Sequence, residues 1–173
     1  MFPWLLLFLT IVLIIAAVSD LRVQRIPNWL TCSTMIVVVA YNTGMKGLGG
    51  LLFSLGGIGV GIAFLIIPYL MGGMGAGDAK LMGSVGALLG PKGALIAFLS
   101  TAIVGGIYAL VILTFHGYLK ETAKRYGTML KTFILTKEFI YITPLKSEKK
   151  PRLCYGVAIA LGTLISVAFG INI

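Results

Sequence analysis

Hydrophobic residues along this chain occur in long, almost uninterrupted runs, without the alternating or every-third-residue patterns of soluble proteins. Glycine, proline and charged residues separate six such runs. Long apolar runs predict membrane-spanning helices, which need about 20 mostly apolar residues each. The six predicted spans are residues 2–18, 28–43, 50–71, 79–90, 93–115 and 153–170.

The fourth run, AKLMGSVGALLG at 79–90, is too short to cross the hydrocarbon core by itself, because that core is about 30 Å thick. We therefore expect part of the preceding glycine-rich stretch, 71–78, to lie at membrane depth. Irregular backbone is tolerated there only where it is buried in protein or lines a water-filled cavity. The pattern thus predicts that residues 71–78 border a cavity.

The composition agrees with a membrane protein. Of 173 residues, 58% are hydrophobic and 11% are charged, and the mean hydropathy is +1.03. These values exclude an ordinary soluble domain. We expect an all-α integral membrane protein: one domain over residues 1–173, with a bundle of about six transmembrane helices and a basic loop at about 116–152.

The net charge of +9 does not indicate a nucleic-acid partner, because the charge is concentrated in one segment. Clustered basic residues beside spans are typical of cytoplasmic loops that face anionic lipids, which we expect as partners. Nine of the fourteen basic residues lie between the fifth and sixth spans: Lys120, Lys124, Arg125, Lys131, Lys137, Lys146, Lys149, Lys150 and Arg152.

The same charges predict an orientation in the membrane. If the basic loop is cytoplasmic, Arg22, Arg25 and Lys80 also lie inside, and only Lys46 and Lys92 lie outside. Twelve basic residues against two follow the positive-inside rule. Both termini are then predicted outside.

Within the basic loop, apolar residues recur at helical spacing with lysines between them. This pattern predicts an amphipathic helix in the inner membrane interface, either as a lipid anchor or in contact with a substrate. The apolar positions are Leu119, Ala123, Tyr126, Leu130 and Phe133.

Small residues predict close packing between spans. Glycines at i and i+4 occur at Gly57 and Gly61 and again at Gly86 and Gly90, the spacing at which helix backbones approach each other. The two cysteines are isolated in apolar stretches, and we expect both to be buried, with no metal or redox role.

Two acids stand out from the five in the chain. The three glutamates lie in the basic loop, where they are expected to be solvated or paired with neighbouring lysines. In contrast, Asp20 ends the first span and Asp78 begins the fourth. Ionisable residues in or beside spans are costly and therefore mark functional sites. Both are predicted on the cytoplasmic side, which suggests an aspartic protease pair in which one carboxylate activates water while the protonated partner donates a proton.

Other chemistries fit less well. His116 is the only histidine, so a Ser-His-Asp or Cys-His arrangement is not expected. A zinc site needs about three protein ligands, and one histidine with two acids does not supply them convincingly. The segment GMGAGDAK lacks the ending of a phosphate-binding loop. Its glycines instead suggest the close approach of another backbone, such as an extended substrate.

The sequence around both acids resembles a known family. Gly75-Ala76-Gly77-Asp78, continued by AKLMG, resembles the G-x-G-D motif of intramembrane aspartyl proteases in the form seen in type IV prepilin peptidases. The segment DLRVQRIPN from Asp20 resembles the region of that family's first catalytic aspartate, and YGVAIALG at 155–162 resembles its last span.

The resemblance implies a prokaryotic cytoplasmic-membrane peptidase. Such an enzyme removes a basic leader from precursors of type IV pilin-like proteins (Flp-type pilins, pseudopilins or archaellins) at the cytoplasmic face. It also implies that Asp20 and Asp78 are the catalytic acids and that Gly75 and Gly77 are motif glycines, with no cofactor and no metal. The role of Lys80 stays open between snorkelling to the interface and tuning Asp78.

Larger bacterial relatives also carry a cysteine-rich cytoplasmic segment and methylate the new N-terminus. This chain lacks those cysteines, so we expect proteolysis without methylation. Two alternatives to a peptidase remain: a non-enzymatic assembly protein or a transporter whose paired acids form a proton or cation path, and a lipid-binding scaffold built on the basic loop. The sequence does not specify an oligomeric state.

Overall fold

The computed structural model describes residues 3–70, 73–115 and 154–169. Within these ranges the chain is helical and contains no strand, so the all-α prediction is confirmed for this part of the protein. The basic loop, with His116 and the predicted amphipathic helix, lies outside the described residues. The helices are α1 (Pro3–Val23), α2 (Asn28–Leu70), α3 (Ala76–Phe115) and α4 (Tyr155–Ala168).

Helix α2 folds back on itself at Gly47, which has a φ of 58° and a ψ of −139°. Glycine adopts this left-handed region without the steric cost of a Cβ. The amide nitrogen of Asn42 lies 2.8 Å from the hydroxyl of Ser54, although these residues would be about 18 Å apart in a straight helix. The two arms of α2 therefore form a helical hairpin.

Helix α3 has a similar break at Gly90, where φ is 74° and ψ is −178°. The following residue, Pro91, disfavours a helical conformation at Gly90. A Cβ placed on Gly86 would lie 3.2 Å from the Cβ of Ala94, which requires the chain to reverse between them. Both breaks fall between predicted spans, in the gap after 43 and at the end of the fourth run.

The second arm of α2 packs closely on the first arm of α3 through glycines. A Cβ on Gly57 would overlap the backbone of Gly86, and one on Gly86 would overlap the backbone of Gly57. One turn further along, Gly61 faces Met82, whose carbonyl oxygen would be 2.5 Å from an added Cβ. The predicted role of these glycines in close helix packing is confirmed.

The two bends lie at one end of this packed pair of hairpins. Asn42, near the bend of α2, donates a hydrogen bond of 3.4 Å to the carbonyl of Ala87, near the bend of α3. The ring of Phe53 fills the space beside Gly90, and the ammonium of Lys46 lies 5.5 Å from the centre of that ring. The α1–α2 connection, which follows Asp20, and the α2–α3 connection, which precedes Asp78, therefore lie at the opposite ends of these helical arms.

The buried core consists of apolar side chains from all four helices, including Leu13 of α1, Leu65 of α2, Leu81 of α3 and Ile159 of α4. Many large apolar side chains instead face outward, such as Ile36, which is 69% exposed. In water such a surface would be a liability, but it suits contact with lipid. Segments Trp4–Val23, Asn28–Leu70 and Ala76–Ile112 are long and apolar enough to cross a membrane, as expected of a membrane protein.

Two details differ from the sequence predictions. Helix α1 continues past the apolar run to Val23, because Asp20 and Arg22 extend the helix as polar residues before Gln24 breaks it with a φ of 53°. Cys154 is buried as expected, but Cys32 is exposed, since it lies on an outward-facing side of α2. The prediction that both cysteines are buried was wrong for Cys32.

The chain divides into two compact units, residues 1–105 with 154–173, and residues 106–153. The first contains the core and both aspartates. Of the second, the structure describes residues 106–115, the end of α3. There the hydroxyl of Thr114 donates a 2.7 Å hydrogen bond to the carbonyl of Leu110.

Candidate active site

Asp20 lies in the last turn of α1 and is only 7% exposed. The C-terminal end of a helix is unfavourable for a negative charge, because unpaired carbonyl groups point towards it. A second helix compensates: the backbone N–H of Gly156, in the first turn of α4, donates a 2.8 Å hydrogen bond to Oδ2 of Asp20. The negative side chain therefore meets the positive end of another helix.

The α1–α2 connection is folded tightly beside Asp20. The N–H of Gln24 donates to the carbonyl of Asp20 at 2.9 Å, and the hydroxyl of Ser19 donates to the carbonyl of Arg25, also at 2.9 Å. The chain then passes through Ile26 and Pro27 and begins α2 at Asn28. This turn brings Ile26 to the start of α3.

Asp78 is held by its own helix. Its Oδ2 accepts a 2.9 Å hydrogen bond from the N–H of Gly75, and its N–H donates to the carbonyl of Gly75 at 3.1 Å. Gly75 precedes the first helical residue, so this is the acidic half of a capping box. Asp78 is 8% exposed, and its position in the first turn of α3 is the favourable one for a carboxylate.

Gly77 packs against the α1–α2 connection. A Cβ placed on Gly77 would lie 3.1 Å from the Cβ and 3.4 Å from the carbonyl oxygen of Ile26. The space left by the missing side chain is therefore filled by the protein itself. Our suggestion that this glycine makes room for a substrate backbone was wrong, because Ile26 occupies the position.

Lys80 bonds to the start of α2. Its Nζ donates a 3.0 Å hydrogen bond to Oδ1 of Asn28, and no ion pair with Asp78 is present among the described residues. One turn later, Ser84 donates to the carbonyl of Thr31 at 3.0 Å. Together these bonds fix the beginning of α3 against the beginning of α2, so Lys80 orders the framework around Asp78.

The two aspartates lie within electrostatic range of each other, and Cys154 lies within range of both. In each acid, Oδ2 accepts a backbone N–H while Oδ1 has no hydrogen-bond partner among the described residues. Each acid thus has one carboxylate oxygen bonded to the backbone and one oxygen without a partner among the described residues.

A metal centre is not formed by the described side chains, since no three of their His, Cys, Asp or Glu residues lie close enough together to hold an ion. Two adjacent carboxyl groups can instead share a proton, because both do not ionise easily at short range. Such a pair can take a proton from water at one oxygen and deliver a proton at another.

The structure places Gly75, Gly77, Asp78 and Lys80 at the start of α3 and Asp20 in the last turn of α1, and Gly77 packs against Ile26 of the α1–α2 connection. Sequence reasoning missed two neighbours of Asp20. Gly156 and Cys154 follow the basic loop, and no local motif marks either as a partner of α1. The only signal for Gly156 was its place in the apolar run that resembles the last span of a known family.

Comparison with known proteins adds an independent result. A family model described as the type IV leader peptidase family matches residues 7–110, which include both aspartates and the α1–α2 and α2–α3 connections. Searches of curated proteins and of solved structures found no match. The family match extends over more than half of the chain and covers the two buried acids whose surroundings are described above. The protein therefore belongs to the type IV leader peptidase family.

Proposed function

We propose that this protein is a membrane aspartyl endopeptidase that removes the basic leader from type IV pilin-like precursors at the cytoplasmic face. Membership in the family supports a peptidase that acts on leader sequences. The two-aspartate mechanism is supported by the burial of both Asp20 and Asp78, by their electrostatic interaction, and by the one oxygen of each acid that has no partner among the described residues.

In the proposed reaction, one carboxyl group is charged and the other protonated. The charged group removes a proton from a water molecule, whose oxygen attacks the scissile carbonyl carbon while the protonated group donates to the carbonyl oxygen. Collapse of the tetrahedral intermediate breaks the C–N bond: the amine leaves with the proton that the first carboxyl group took from water, and the second carboxylate takes back a proton from a hydroxyl of the intermediate. Water is consumed, and the dyad returns to its starting protonation.

The helix ends explain how two acids can coexist in an apolar protein. The N-terminus of α4 points its N–H of Gly156 at Asp20, and the N-terminus of α3 carries Asp78. Each helix N-terminus favours a nearby negative charge by about 0.3–1 kcal/mol. The charged member of the pair is thereby stabilised by backbone N–H groups.

The hairpins at Gly47 and Gly90 support a six-span arrangement. Helix α2 has 43 residues and would be about 65 Å long if straight, more than twice the membrane core, whereas each arm is close to the length of one crossing. We propose that six helical arms cross the membrane, with the aspartates and the basic loop on the cytoplasmic side and both bends outside. Anionic lipids would then contact the basic loop.

Co-expression tests the proposal directly. The wild type and the variants Asp20→Asn and Asp78→Asn are each expressed with candidate precursors that have a basic leader, a glycine and an apolar segment, and the products are measured by mass spectrometry. Because each acid transfers a proton, either substitution should reduce cleavage by a factor of about 100 to 10,000. Glu148→Gln, which alters an acid of the basic loop, is the matched control and should cleave normally.

Cleavage by the wild type after a glycine, lost in both aspartate variants, would support the dyad and identify the substrate. Normal cleavage by Asp78→Asn would refute the mechanism. If none of the precursors is cut although all proteins insert and fold, the peptidase proposal fails. Proton flux in liposomes would then test the alternative of an ion path.

A further inference from the structure

Within the part of the chain that the structure describes, Asp20 is bonded by a distant segment and Asp78 by a nearby residue. Asp78 is held by Gly75, three residues away, whereas the donor to Asp20 is Gly156, 136 positions away. Gly156 also lies beyond residues 7–110, the part of the chain that matches the family model. The contact is therefore separate from the motifs that surround the two acids.

The first turn of α4 lacks a cap of its own. Cys154 occupies the N-cap position but makes no side-chain capping bond. The four N–H groups at the start of a helix need acceptors, and a carboxylate is a favourable one. Oδ2 of Asp20 fills this role from α1, at 2.8 Å from the nitrogen of Gly156.

A glycine is needed at this position because α1 and α4 approach closely here. A Cβ on residue 156 would lie 2.9 Å from Oδ2 and 3.0 Å from the Cβ of Asp20. Cys154 adds a second contact, since its thiol donates a weak hydrogen bond to the backbone carbonyl of Asp20 at 3.8 Å. The start of α4 therefore holds both the side chain and the backbone of Asp20.

We propose that Gly156 is a positioning residue: its N–H fixes Oδ2 of Asp20, and its missing side chain lets α4 lie close enough to do so. The remaining oxygen of Asp20 is thereby turned away from α4 and is available for chemistry. This inference rests on the proposed peptidase function. It adds α4 to the elements that form the site.

The test compares Gly156→Ala with Gly105→Ala in the full-length protein. Gly105 is a matched control, because a Cβ there would also face the start of α4 but at ordinary distances, 3.5 Å from Tyr155 and 3.6 Å from Ala158. With a precursor that the wild type cleaves, Gly156→Ala should lower kcat at least tenfold and leave KM within about twofold, since Gly156 is not proposed to touch substrate. Gly105→Ala should retain wild-type values.

The pH profile of kcat separates positioning from a simple loss of folded enzyme. A smaller active fraction lowers the whole profile without moving its midpoint. Alanine keeps the backbone N–H, but its methyl group would lie 2.9 Å from Oδ2 and pushes the donor away from Asp20. The charged form of Asp20 then loses stabilisation, so the acidic midpoint of Gly156→Ala should move to higher pH. Among the described residues, the titratable groups that interact electrostatically with Asp20 are Asp78 and Cys154, so the shift is also measured in Cys154→Ala to exclude a thiol contribution. Wild-type kcat and midpoint in Gly156→Ala would overturn the inference.

A stability measurement keeps the inference testable if no precursor is cleaved. Asp20→Ala removes the carboxylate that collides with the new methyl group. Gly156→Ala should therefore lower the Tm of the wild type by more than it lowers the Tm of Asp20→Ala. Equal effects in the two backgrounds would refute the contact, while an absence of cleavage with unequal effects would refute only the proposed function.

Discussion

Gly77 packs directly against Ile26: a Cβ placed on Gly77 would lie only 3.1 Å from the Cβ of Ile26. This contact joins the α1–α2 connection, which follows Asp20, to the first turn of α3, which carries Asp78. The glycine thus controls the spacing of two chain segments that each present an acid. Its importance lies in the internal packing of the site.

A branched side chain at position 77 should separate these segments. We expect Gly77→Val to lower the free energy of unfolding by about 1–3 kcal/mol through overpacking. Displacing a reacting group by about 1 Å can cost about 100-fold in rate, and we expect a loss of that order in cleavage. Gly59→Val is the control, since no atom lies within 4 Å of a Cβ at Gly59. Equal activity of Gly77→Val and Gly59→Val would contradict this interpretation.

The bond between Lys80 and Asn28 can be tested by a double-mutant cycle. Lys80→Met and Asn28→Leu each remove the 3.0 Å hydrogen bond, so each should weaken stability by less than about 1 kcal/mol, as for exposed polar pairs. The double variant should be no less stable than the less stable of the two single variants. Asn28→Asp should keep the contact and retain cleavage. Fully additive losses in thermal unfolding would show that the two residues act independently.

The polar contact inside the α2 hairpin should affect stability without affecting chemistry. Ser54→Ala removes the acceptor of the 2.8 Å bond from Asn42, which lies near the bends and away from the aspartates. Hydrogen bonds between membrane helices average about 0.6 kcal/mol and reach about 1.7 kcal/mol. We expect a loss in this range and unchanged cleavage at low temperature. Ser33→Ala, which alters an exposed hydroxyl of α2, is the comparison in the same unfolding assay.

The contact between Gly57 and Gly86 should tolerate no added methyl group. Gly57→Ala places a Cβ on the backbone of Gly86 and should lower the free energy of unfolding by about 1–3 kcal/mol, because the two helical arms must move apart. Gly59→Ala, two residues away and facing open space, should be neutral or slightly stabilising, since alanine favours helices. If both alanine substitutions changed the Tm equally, the close packing at Gly57 would not explain a loss of stability.

Cleavage should not depend on a divalent metal ion. In the proposed mechanism the two carboxyl groups activate water themselves, so incubation with EDTA should leave the rate unchanged within about twofold. The initial rate of precursor cleavage is measured for the untreated protein and again after incubation with EDTA and removal of the chelator by dialysis. Inhibition that added zinc reverses would require a metal-assisted mechanism in place of the acid pair.

Local patterns in the sequence predicted much of this fold. The gap after residue 43 and the Gly90-Pro91 pair separated apolar runs, and the chain reverses at Gly47 and Gly90 because glycine alone adopts positive φ there without strain. The i and i+4 glycines also marked the close packing at Gly57 and Gly61. In each case one residue type, glycine, determines the local backbone or its packing, so the sequence pattern is sufficient to predict the bend or the close contact.

Contacts between distant segments were less predictable. The glycine at position 77 signalled a close approach, but its sequence neighbourhood does not reveal whether Ile26 or a substrate fills the space. The bond from Gly156 to Asp20 depends on how α4 packs against α1, and no spacing rule links the two residues. Lys80 was ambiguous for the same reason, since its partner Asn28 lies on another helix.

The separation between Asp20 and Gly156 also has a consequence for biogenesis. Ribosomes add about 5–20 residues per second, so the 136 positions between the two residues correspond to about 7–27 s of translation. A nascent chain that has been synthesised as far as Phe115 already carries both aspartates but lacks the helix that caps the first of them. The proposed site would therefore be complete only once α4 has been synthesised and has packed against α1.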